Sequence, residues 1–114
     1  MTTLRVLPNP DPGPPEVDVA ETARACAAGA QLVDVREPVE WVDGHIPGAI
    51  HIPLGEVWER AGELDRTRPV VTICRSGQRN LYAVDMLLQQ GFSEVASLNG
   101  GMIAWNAAGQ PSET

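Results

Sequence analysis

Apolar residues recur along this chain at two periods. Short β-branched or aliphatic runs at residues 16–17, 31–35, 49–52, 70–73 and 94–98 predict five strands. Between them lie stretches with helical spacing. Asp18-Val19-Ala20-Glu21 has capping-box spacing, and Gly29 closes the helix that follows. Residues 38–43 predict one or two helical turns, ended by Gly44. Residues 54–64 place Leu54, Val57, Trp58 and Ala61 on one helical face, with core packing expected for Trp58. Residues 80–90 do the same with Leu81, Val84, Leu87 and Leu88, and Gly91 is the stop. A last helix is predicted over residues 102–108. The alternation predicts an α/β fold, a mostly parallel five-stranded sheet with helices on both faces. Residues 1–15 hold five of the ten prolines and predict a flexible, proline-rich N-terminal arm; one domain is expected over residues 16–114.

The chemistry concentrates after the fourth strand. Val70-Val71-Thr72-Ile73 ends on Cys74, and Arg75-Ser76-Gly77-Gln78-Arg79 leads straight into a helix. Open α/β sheets place ligands at the carboxyl ends of their strands. A helix N-terminus offers unpaired N–H groups and partial positive charge. Gly77 lets the loop curl so that successive N–H groups point inward, and Arg75 and Arg79 add fixed charge. Such a loop favours the thiolate of Cys74, the form that attacks sulfur or phosphorus. Cys26, inside the apolar helical run 23–28, reads as packing.

The other candidates have weaker patterns. Asp34 ends a strand and supports the site side of the sheet, most simply by bonding backbone amides of the next loop. Arg36 is expected to pair locally with Glu37 or Glu40. His45 and His51 are the only histidines, and without a third ligand they make a poor metal site. Gly100-Gly101 reads as a tight turn before a helix.

Composition narrows the classes. A chain of 114 residues accommodates one domain. It is 43% hydrophobic but 4% aromatic, so the core should be aliphatic with three tryptophans as large fillers. A formal net charge of −7 argues against nucleic acid as a partner. Two cysteines do not make a disulfide scaffold, and a reactive thiol needs a reducing compartment, so the cytoplasm is expected. No apolar run approaches the ~18 residues of a membrane span, and no secretory signal pattern is visible.

Three blocks together resemble the rhodanese family, specifically its small single-domain sulfurtransferases. The first is Leu32-Val33-Asp34-Val35-Arg36-Glu37 with Glu40-Trp41 and Gly44-His45-Ile46-Pro47-Gly48-Ala49. The second is the loop from Cys74 to Arg79. The third is Val95 and Leu98 leading to Gly100-Gly101-Met102-Ile103-Ala104-Trp105. The resemblance spans residues 16–109. It implies that Cys74 carries sulfur as a persulfide, with Arg75, Ser76, Gly77, Gln78 and Arg79 binding an anionic donor such as thiosulfate. Cyanide or a thiol is the implied acceptor, and no cofactor is implied. A sulfur-accepting protein is a further partner to test, as is a relay module without turnover. Related phosphatases and arsenate reductases of this fold carry one more residue in the loop; the four residues between Cys74 and Arg79 match the shorter form. The family often has serine after the loop arginine. Here it is Asn80, expected to serve as the helix N-cap.

Overall fold

A computed structural model describes residues 4–8, 14–77 and 79–114. Five strands form one sheet: β1 (Glu16–Val17), β2 (Gln31–Asp34), β3 (Ile50–His51), β4 (Val70–Ile73) and β5 (Val95–Leu98). The order is β1-β5-β4-β2-β3, and every pairing is parallel. The chain runs from β2 out to β3 at one edge, then crosses back over β2 to β4. That reversal opens a crevice at the carboxyl ends of β2 and β4, where such sheets hold ligands. Asp34 and Ile73 are register partners there, so Cys74 emerges beside the end of β2.

Among the described residues the α-helices are α1 (Val19–Ala27), α2 (Pro38–Val42), α3 (Val57–Arg60), α4 (Arg79–Gln89) and α5 (Gly101–Ala107). The pleat splits the buried side chains into two cores. Val33, Val35 and Val70 pack with Val57, Ala61, Ala83, Val84 and Leu87 of the α3–α4 side. Leu32, Val71 and Ile73 pack with Ala25, Met102 and Trp105 of the α1–α5 side. Strands covered on both faces lose the polar–apolar alternation, which is why β4 reads as an unbroken apolar run.

The arm is anchored where it is described. Leu4 is buried, its N–H donates to Glu94 at 2.8 Å, and the Arg5 N–H donates to Glu21 at 2.7 Å. The Leu7 N–H bonds the Glu16 carbonyl at 2.7 Å. Residues 1–3 and 9–13 of the expected flexible arm lie outside the described residues. These contacts also alter the expected capping box. Asp18 caps α1 through the Glu21 N–H at 2.7 Å, but the Glu21 carboxylate turns to Arg5 and Arg24. The Arg24 bond holds that carboxyl down at about 2.

Two expectations about large side chains fail. The helix expected over 54–64 is three short pieces, with 3₁₀ turns at Leu54–Glu56 and Ala61–Glu63 flanking α3. Gly55 and Gly62 weaken a continuous α-helix there. Val57 and Ala61 turn inward, while Trp58 is exposed. Leu88, at the end of α4, is also partly exposed. Of the three tryptophans only Trp105 is a buried filler. Trp41 instead stacks on His45, with centroids 3.6 Å apart, and on His51, at 4.8 Å.

Candidate active site

Cys74 sits at the crevice with 1% of its surface exposed. Two groups face its sulfur. The Gly77 N–H points at Sγ at 3.1 Å, and the Asn80 Oδ1 lies 3.4 Å away. Gly77 has φ +94°, and a Cβ there would come within 2.9 Å of the Gly100 backbone nitrogen. The curl that aims its N–H at the sulfur therefore requires glycine. Arg75 and Ser76 are exposed on the rim. Gln78 lies outside the described residues.

Arg79 opens α4, but its guanidinium is already occupied. Nη1 and Nη2 grip the two Glu40 oxygens at 2.7 and 2.8 Å, joining α2 to the helix that follows the Cys74 loop. This fork-to-fork pair lowers the Glu40 carboxyl to about 2, against the opposing pull of burial. It raises Arg79, with a smaller contribution from the charge of Cys74. The sequence predicts Arg79 as a charge that binds an anionic donor and fixes the loop; in the structure Glu40 of α2 pairs with it.

Arg36 also departs from expectation. It pairs with neither Glu37 nor Glu40 but with Asp34, Nη2 to Oδ2 at 2.7 Å, and donates to the Gly44 carbonyl at 2.7 Å. The turn after β2 brings the Arg36 backbone N–H onto Asp34 Oδ1 at 3.0 Å, so the side chain folds back over the same carboxylate. Both residues are buried. That leaves Arg75 as the cation of the site with no ion pair among the described residues. It borders a cleft of about 310 Å³ lined also by Glu40, Asp43, Gly44, Met102 and Ile103.

Three contributors went unrecognised in the sequence. Glu40 is the first. Asn80 is the second: it is not the N-cap but the second residue of α4, fully buried. Its Nδ2 donates to the Thr72 carbonyl at 3.1 Å and the Leu98 carbonyl at 3.3 Å. Its backbone carbonyl accepts from the Thr72 hydroxyl at 3.0 Å. The signal was there, since Asn80, Ala83, Val84 and Leu87 form one buried stripe and a polar residue on it calls for partners. Gly101 is the third. It has φ +56°, and a Cβ there would strike the carbonyl oxygen of Cys74 and lie 2.7 Å from Arg75 backbone atoms. The Gly-Gly pair thus does more than turn the chain. It brings α5 against the loop, where the Met102 N–H bonds the Cys74 carbonyl at 2.8 Å and the Ile103 N–H bonds that of Arg75 at 3.1 Å.

The histidines are engaged elsewhere. His45 Nδ1 lies 2.9 Å from the Trp41 carbonyl, and His51 Nε2 lies 2.8 Å from that of Arg36. Among the described residues no cluster of three or more His, Cys, Asp or Glu side chains could hold a metal. Cys26 is half-buried on the opposite core, where burial pushes its thiol up. No helix of the described residues is long and apolar enough to cross a membrane.

Known proteins resemble this chain in sequence and fold. The family model for the rhodanese-like domain matches residues 18–108. A sulfurtransferase of Allochromatium vinosum is 44% identical over 80 residues, covering 70% of this chain and 75% of that protein. The thiosulfate sulfurtransferase GlpE of Pseudomonas aeruginosa is 38% identical over 86 residues, covering 75% and 77%. The putative sulfur carrier protein YrkF of Bacillus subtilis is 45% identical over 74 residues, which span 65% of this chain and 40% of YrkF. Among solved structures, a rhodanese-related protein of Thermoplasma volcanium superposes with a TM-score of 0.79 at 32% identity, over 86% of this chain and 96% of that one. A parallel sheet with a cysteine at its crevice, matched in sequence along most of its length, places this chain in the rhodanese-like family.

Proposed function

We propose that this protein transfers sulfane sulfur through a persulfide on Cys74. The observation that carries the reading is the Gly77 N–H aimed at Sγ, 3.1 Å away, at the carboxyl end of β4. A donor at that point stabilises a thiolate and the anionic sulfur chain built upon it. In the first step the Cys74 thiolate attacks the outer sulfur of thiosulfate. A new S–S bond forms, the old one breaks, and sulfite leaves with the bonding pair. In the second step cyanide or a thiolate attacks the outer sulfur, and the electron pair of the breaking bond returns to Cys74. The two displacements balance without an external oxidant or cofactor.

Arg75, unpaired and bordering the cleft, attracts the anionic donor. Arg79 holds the loop in place through Glu40 and adds its field at the sulfur. Ser76 and Gln78 complete the loop between them. The Asp34–Arg36 pair supports the crevice from β2. The short loop favours a persulfide over the tetrahedral oxyanion that a phosphatase or arsenate reductase must enclose. A thiol of this kind functions in a reducing compartment, as in the cytoplasm.

Relay to a protein acceptor is a second reading, favoured by one observation. Val39, Val42 and Ile103 are 71%, 63% and 54% exposed on α2 and α5, the two helices that border the cleft. Efficient turnover with cyanide but none with small thiols supports a protein acceptor.

Intact-protein mass spectrometry tests the core claim. Thiosulfate should add one sulfur atom, localised to Cys74, and cyanide should remove it. A Cys74→Ser protein that still carries or transfers the sulfur at the wild-type rate overturns the proposal.

A further inference from the structure

We infer that the amide oxygen of Asn80 holds the empty Cys74 in its thiol form, opposing the bare thiolate until sulfur is loaded. The inference deepens the persulfide reading, on which its role in turnover rests, but the contact itself is tested without any sulfur transfer.

The orientation of the amide is fixed by its surroundings. Both acceptors on the far side, the Thr72 and Leu98 carbonyls, can only receive hydrogen bonds. Flipping the amide would set its oxygen against two carbonyl oxygens, so the NH₂ must face them and Oδ1 must face the sulfur. The backbone of Asn80 is pinned as well, by the Thr72 hydroxyl. Oδ1 has no proton to give. At 3.4 Å from Sγ it accepts the thiol proton, and it repels a negative charge on the same atom.

The sulfur is thus held between opposed partners, since the Gly77 N–H favours the anion. Among the described residues the charged groups on this side are Arg75 on the loop, Arg79 with Glu40, the Asp34–Arg36 pair at the end of β2, and Glu37 and Asp43 at the two ends of α2. α5 carries no ionisable side chain. The buried core on the α3 side adds only apolar groups. None of these changes when Asn80 alone is replaced.

Loading alters what Oδ1 faces. The thiol gives its proton to solvent, Sγ attacks the donor, and the negative charge moves to the outer sulfur. Sγ then carries neither proton nor charge, and its repulsion from Oδ1 ends. An empty carrier is therefore quiet toward stray electrophiles, whereas the loaded form is not penalised. A serine at this position would place a hydroxyl there that can donate to the sulfur and would act in the opposite sense.

The test is iodoacetamide alkylation of Cys74 against pH, resolved from Cys26 by peptide mass. In Asn80→Ser the midpoint of the rate profile should move to lower pH. The rate at pH 7 should rise roughly threefold to tenfold, with the high-pH plateau little changed. Asn80→Asp keeps an oxygen acceptor, so its midpoint should stay at or above that of the wild type. A Ser profile that is unmoved or moved upward overturns the inference. So does a rate raised equally at every pH, because that is local loosening. If the variants fail to fold, infrared spectroscopy of the wild type decides. The S–H band lost in Cys74→Ser should lie below that of an unbonded thiol, and a band at the unbonded position overturns the inference. If thiosulfate never loads Cys74, the function fails while these profiles still report on Asn80.

Discussion

The Glu40–Arg79 pair ties α2 to the helix that follows the Cys74 loop, and its removal should be measurable in stability and in the proposed activity. Glu40→Gln removes the charge and keeps an oxygen that can still receive the Glu37 N–H, now 3.1 Å from Oε1. The Glu40 carboxyl falls from 4.5 to about 2 on folding, which corresponds to about 3 kcal/mol. Its side chain is 25% exposed and that of Arg79 34%, so solvent screening reduces the expected loss to about 1–2 kcal/mol. A group depressed on folding contributes fully above its unfolded value, near 4.5, and loses that contribution as pH falls through about 2. Urea unfolding at pH 7 should therefore separate wild type from Glu40→Gln by about 1–2 kcal/mol, and the gap should close between pH 4.5 and 2. Glu21 titrates over the same window, so the difference between the two proteins, not the wild-type curve, isolates Glu40.

Activity completes the test. If Arg79 acts through the clamp, Arg79→Lys loses at least roughly tenfold in kcat/KM for thiosulfate, because lysine cannot form the two-pronged contact. Glu40→Gln should lose a comparable factor, and the double variant little more than either. Independent, multiplying losses would refute the reasoning, as would a stability gap that persists at pH 2.

Gly101→Ala should lower stability by about 2–4 kcal/mol, read by urea unfolding, because a Cβ at φ +56° meets the backbone of Cys74 and Arg75. Ser97→Ala should raise it by roughly 1 kcal/mol, a few degrees in Tm, because the buried Ser97 hydroxyl has no hydrogen-bond partner among the described residues. One glycine inserted between Gly77 and Gln78 should lengthen the N–H ring and weaken thiosulfate turnover, and the unmodified protein should show negligible hydrolysis of aryl phosphates; robust phosphatase activity would promote the rival chemistry.

The strands were legible because burial on both faces leaves an unmistakable apolar run, as in β4, and the parallel sheet followed from the alternation. The element ends were less so. The expected third strand at 49–52 forms only at Ile50–His51, because the chain leaves the edge to enter the Pro53 turn. Trp58 misled because helical spacing assumes an unbroken helix, and Gly55 and Gly62 break it. At the site, Cys74 and its loop were visible as a local pattern. The partner of Arg79 was not, since Glu40 lies 39 positions away and only the crossing of α2 over the crevice brings them together. Asn80 was misread for a subtler reason. Asparagine before an apolar helix is a good N-cap, but Arg79 already belongs to the helix, which rotates Asn80 onto the buried stripe.

These ion pairs bear on how an acidic protein would receive the anionic donor proposed for it. With a net charge of −7 the whole molecule repels thiosulfate at long range. Three of its eight arginines, Arg36, Arg75 and Arg79, gather at the crevice. Two of them are paired with Asp34 and Glu40, so little of their charge reaches a distant donor, and the pairs hold β2, α2 and the loop in register. In the proposed transfer, attraction then falls to Arg75, exposed on the loop itself and one residue from Cys74. Screening acts within about 8 Å at physiological salt, so a single cation this close to the reacting sulfur matters more to an arriving donor than the acidic surface farther away. On the proposed sulfur transfer the site separates two tasks that a sequence reading assigns to both loop arginines: Arg79 holds the loop that carries Cys74, and Arg75 brings in the anionic donor.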